Sequence, residues 1–92
     1  MQSKSVYKIP NGKLLKISLR YINNFISEIR IMGDFFAYPE EAIEVMEKEL
    51  INSSLNRESL LNKINSVIKE NNIEFIGLNA EGLTDGIMMC LK

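Results

Sequence analysis

Between Ile31 and Ala42 the spacing of apolar residues changes period, and that change constrains the fold more than any other feature of the sequence. Upstream, apolar and polar residues alternate as in a strand with one buried face. Downstream, the apolar residues recur at the spacing of an amphipathic helix. At the join stand Gly33 and Asp34, two adjacent phenylalanines, and Tyr38-Pro39. Glycine admits backbone geometry that other residues avoid, and a short carboxylate beside it can bond nearby backbone N–H groups. In extended chain Phe35 and Phe36 point to opposite faces, so one enters the core and the other covers something else. Alternation from Ile29 and Ile31, carried straight through Gly33, makes Phe35 the expected core member.

The elements follow from turns and periodicity. A short extended run ends at Pro10-Asn11-Gly12, and Asn-Gly between alternating segments signals a tight hairpin, because that turn needs positive φ. From Lys13 to Tyr21, Leu15, Ile17, Leu19 and Tyr21 point one way and Lys16, Ser18 and Arg20 the other. Asn23-Asn24 makes a second turn. A third strand then points Phe25, Ile29 and Ile31 inward. Strands are thus predicted over about 4–9, 13–21 and 24–33. Pro39 suits the first position of a helix over 39–51, with core stripe Ala42, Ile43, Met46 and Leu50. Asn56 caps a second helix over 57–71, with Leu55 and Leu60 at hydrophobic-staple spacing. Ile73 to Ile76 is a brief extended segment. Asn79 then caps a last helix over 80–91, held by Leu83, Ile87, Cys90 and Leu91. The fold class expected is α+β. It is a three-stranded antiparallel meander, with room for a short extra strand and two to three helices on one face, in a single domain 1–92.

Composition removes most chemistry. There is no histidine, no Gly-rich phosphate loop and only one cysteine, so the sequence predicts no metal site, no disulfide and no catalysis by this chain alone. A net charge of −1 with scattered Lys and Arg predicts no nucleic-acid partner. No apolar run is long enough to span a bilayer, and the lone thiol suits a reducing, cytoplasmic setting. A small domain with one uncovered sheet face is most simply an interaction module.

Four segments carry a family resemblance. Lys8-Ile9-Pro10-Asn11-Gly12-Lys13-Leu14-Leu15-Lys16, then Ile29-Arg30-Ile31-Met32-Gly33-Asp34-Phe35-Phe36, resembles the accessory C-terminal domain of lipoate–protein ligases. Pro39-Glu40-Glu41-Ala42-Ile43 and Ile76-Gly77-Leu78-Asn79-Ala80-Glu81-Gly82-Leu83 are similar to its later segments. In most such ligases the domain follows a larger catalytic domain. Here almost nothing precedes it, so the chain looks like the separate small subunit of the bipartite, archaeal-type enzymes. The resemblance implies a large-subunit partner that holds ATP, magnesium, lipoate and the catalytic lysine, with no cofactor on this chain. It also implies a role in forming lipoyl-adenylate, and only indirect dealings with the lipoyl acceptor domain. The related fold group includes sulfur and iron–sulfur scaffolds that work through cysteines, for which this chain offers Cys90 alone. A generic adaptor is the other alternative. The contact residues expected are Asn11, Gly12 and Lys13 at the hairpin tip and Gly33, Asp34, Phe35 and Phe36 at the corner. Lys13 is either a solvated turn residue or a cation for the partner's active site. Asp34 is either a backbone-bonding corner residue or a contact.

Overall fold

A computed structural model describes residues 2–8 and 13–91. Strands β1 (Gln2–Lys8), β2 (Leu14–Ile22) and β3 (Phe25–Gly33) form an antiparallel meander in that order. Strand β4 (Phe36–Tyr38) leaves it and pairs with β5 (Glu74–Ile76) in a separate two-stranded ribbon. The helices are α1 (Ala42–Glu49), α2 (Arg57–Glu70) and α3 (Ala80–Met89). Helix α3 lies against β1 and β2, α1 against β3 and β4, and α2 against α1 and α3. The expected Pro10-Asn11-Gly12 turn lies outside the described residues; the strands that flank it pair, with Lys8 opposite Leu14.

The second hairpin shows how sequence becomes geometry. Ile22 and Phe25 pair across a two-residue loop, and Asn23 and Asn24 adopt φ of 50° and 69°. Positive φ at both positions is what lets a tight turn match the twist of its strands, and asparagine tolerates it. Just beyond, the register slips: Arg20 faces Glu28 but Tyr21 faces Ile26, leaving Ser27 without an opposite number. Such a bulge exchanges the two faces of the strand. The expectation that Phe25 points inward is therefore corrected: Phe25 is 50% exposed and Ile26 is buried in its place, while Ile29 and Ile31 remain inside.

The inward face of the sheet, Leu15, Ile17, Leu19, Ile26, Ile29 and Ile31, meets Ala42, Met46 and Leu50 of the α1 segment and Leu83 and Ile87 of α3. Behind them Leu60, Ile64 and Val67 of α2 close the core. Asn56 caps α2 by accepting from Ser59 N–H at 3.1 Å, and Asn79 caps α3 by accepting from Gly82 N–H at 2.6 Å. Gly86 lets α3 settle closely on β2, since a Cβ there would stand 2.7 Å from Leu15 Cδ2. The first helix starts later than its sequence predicts. Tyr38 belongs to β4, and the extended backbone favoured before proline places Pro39 in the turn ahead of α1. Ala42 N–H then bonds Pro39 C=O at 2.9 Å, and the helix opens at Ala42 rather than at 39.

Beta-strand β3 has its outer edge tied at two places. Ile26 N–H donates to Ser53 C=O and Asn52 N–H to Ile26 C=O, at 3.0 and 2.7 Å. Further along, Ile31 N–H donates to Glu47 Oε2 of α1 at 2.8 Å.

Candidate functional site

The corner where the ribbon leaves the sheet is built on the first residues of β2. Leu15 faces Gly33 across the sheet, and Asp34 N–H donates to Leu14 C=O at 3.1 Å. A Cβ on Gly33 would sit far inside contact distance of that carbonyl oxygen, so only glycine allows the backbones to meet. Gly77, which leaves the ribbon, has φ of 88°, and a Cβ there would stand 2.7 Å from Lys13 Cγ. The glycines at the two ends of the ribbon are thus pressed on neighbouring residues, Lys13 and Leu14.

Strand alternation sorts the ribbon's side chains. Ala37 and Phe75 are paired partners that turn inward against the core. Phe35 joins them, half-buried, with its ring edge-on to Phe75 at 6.3 Å and 89°. Phe36 pairs with Ile76 and Tyr38 with Glu74, all turned outward. Phe36, Tyr38 and Ile76 are 64%, 54% and 52% exposed. Asp34, Glu40, Glu41 and Glu74 are exposed around this face, and their carboxylates have no ion pair or hydrogen bond among the described residues. Lys13, also exposed, stands at the corner against Gly77, and Lys8 pairs with Leu14 on the neighbouring strand.

The fold therefore brings Lys13, Gly33, Asp34, Phe35 and Phe36 to one end of the sheet, although Phe35 turns into the molecule. Asn11 and Gly12 lie outside the described residues. The corner also contains Tyr38, Glu74 and Ile76, which sequence reading did not single out. Their signal was the pairing of two short extended segments, each with large apolar residues at alternating positions. Asp34 contributes its backbone N–H to the corner, and its carboxylate takes no hydrogen bond or ion pair among the described residues.

Elsewhere the chemistry is spare. Cys90 is 3% exposed, with Sγ directed to Gly86 C=O at 3.8 Å, a setting that hides a thiol from any partner. Among the described residues no three His, Cys, Asp or Glu side chains converge as metal ligands, and no helix is long and apolar enough to cross a membrane. What the corner supplies is contact area and negative charge.

Comparison with known proteins gives these observations a setting. The family profile described as the bacterial lipoate protein ligase C-terminus matches residues 4–87. A curated protein of Thermoplasma acidophilum, lipoate-protein ligase A subunit 2, is 37% identical over 70 residues, 76% of this chain. The match spans 66% of that relative's length, just under two thirds. A solved chain from the same organism superposes with a TM-score of 0.82 at 26% identity, over 95% of this chain and 94% of the other. It comes from a structural study of an archaeal lipoylation system, a bipartite lipoate protein ligase and its E2 lipoyl domain.

Proposed function

Because this chain belongs to the family of the lipoate–protein ligase C-terminus, we propose that it is the accessory, non-catalytic part of such a ligase and enables its partner to make lipoyl-adenylate. One observation carries the reading: the likeness to a chain of a bipartite ligase runs through nearly the full length of both. ATP, magnesium and lipoate belong, on this reading, to the larger catalytic subunit, and the lipoyl acceptor domain meets that subunit rather than this one. A subunit without catalytic groups accelerates adenylation by binding the competent conformation of its partner better than the idle one; equal binding to both would shift nothing. Closing the partner's site against water would add to the same effect.

The test is reconstitution. The chain is titrated into the catalytic subunit of the same genome with ATP, magnesium and lipoate, and pyrophosphate release is followed. The chain alone releases none, and the catalytic subunit gains activity to saturation as the chain is added. A catalytic subunit that adenylates lipoate at the same rate with and without the chain would sink the proposal.

A further inference from the structure

Resting on that reading, we propose that the outward face of the β4–β5 ribbon docks on the catalytic subunit, at a surface apolar in its centre and lined by Lys and Arg at its margin. The centre of the docking face is Phe36, Tyr38 and Ile76, each more than half exposed. Large side chains held outward on a fixed scaffold are what an interface uses as anchors, because little conformational freedom remains to be lost on binding. The scaffold here is fixed unusually well for so short an element. A three-residue ribbon has little stability of its own. This one is clamped at Gly33 and Gly77 on Lys13 and Leu14 and backed by the Phe35–Phe75 ring pair.

Charge decides what kind of occupant fits. Asp34, Glu40, Glu41 and Glu74 stand around the apolar centre, against Lys13 beside Gly77 and Lys8 opposite Leu14. A second copy of this chain, docking by two-fold symmetry, would bring those four carboxylates against their own likeness, which opposes association. A partner with basic residues at matching positions is drawn in instead. Of the other exposed apolar residues, Val6 and Met32 flank Lys16 across the sheet, and Ile22, Phe25 and Ile51 at the far end lack this margin. The turn residues at that end are the uncharged Asn23 and Asn24. Nearby charges are already matched: Arg20 with Glu28 at 3.8 Å, and Glu49 with Lys63 at 3.9 Å.

Titration calorimetry against the purified catalytic subunit tests the assignment. Phe36→Ser and Ile76→Ser each weaken binding about thirtyfold while the melting temperature of the isolated chain stays in place. Glu74→Lys weakens binding more at low salt than at high salt, as a marginal charge contact should. Phe25→Ser, at the far end, leaves affinity unchanged. Wild-type binding that survives both ribbon substitutions, or that is lost with Phe25→Ser instead, overturns this assignment and leaves the accessory role standing. A wild-type chain that binds no catalytic subunit overturns both. Sedimentation showing a homodimer that Phe36→Ser disperses would assign the face to a second copy and reject the proposal.

Discussion

The two ends of the meander both expose apolar side chains, yet they are held by different means. At the Asn23-Asn24 end the backbone is stitched. Loop residues Asn52, Ser53 and Leu55 exchange hydrogen bonds with Ile26 and Asn24, and Phe25 bridges Ser54. At the ribbon end, one hydrogen bond from Asp34 to Leu14 is joined by two glycine contacts that exclude any side chain. Stitching by backbone hydrogen bonds depends little on which residues supply them, since every non-proline residue brings the same groups. A backbone clamp that needs glycine depends on sequence outright. The end with the demanding construction is also the end where Asp34, Glu40, Glu41 and Glu74 have no ion pair among the described residues, and it is there that the docking face is proposed.

Substitution can break that contrast. The largest effect belongs to the stitched end. Ile26 is fully buried because of the bulge at Ser27, so Ile26→Ala costs about 4 kcal/mol in denaturant unfolding, whereas Phe25→Ala beside it costs less than about 1 kcal/mol. Reversed magnitudes would mean the bulge is absent. Gly33→Ala comes next. Its methyl group must displace the Leu14 carbonyl, at about 3 kcal/mol and a melting temperature lower by about 15 °C, with the ribbon contacts loosened together. An unchanged melting temperature would remove the clamp. Smallest is the pair at the corner. Phe35→Ala loses a half-buried ring and its edge-on neighbour, about 2 kcal/mol, while Phe36→Ala stays within about 0.5 kcal/mol, both read by thermal unfolding. Equal losses would show that the two rings do not face opposite ways.

Much of the fold was legible because local signals and tertiary outcome agree. Asn56 and Asn79 cap the helices where the pattern changes, and Asn23-Asn24 turns with the backbone angles that asparagine favours. The failures have a common cause, which is that periodicity is blind to register. A single unpaired residue, Ser27, moved burial from Phe25 to Ile26, and no composition rule marks that serine. Likewise the alternation through Gly33 assumed one continuous strand, whereas β4 departs to pair with β5, some forty residues on. Phe35 still turns inward, but through its contact with Phe75 rather than by following Ile29 and Ile31. Of the corner, Gly33 and the two phenylalanines could be read directly. Tyr38 and Ile76 acquired meaning only when distant segments were paired, because neither strand is amphipathic over enough residues to announce itself.

The bond from Ile31 N–H to the carboxylate of Glu47 has a consequence for how such chains behave when crowded. An open strand edge invites another chain to continue the sheet, and two open edges on one sheet allow that addition to repeat without end. On β3 an arriving strand would have to expel Glu47 and the segment around Asn52 and Ser53, exchanging a charge-assisted bond for an ordinary one. That leaves the three-stranded sheet with its other border, β1, for continuation. Repeated strand addition needs both borders of a sheet, so at the β3 border a glutamate on a helix opposes it.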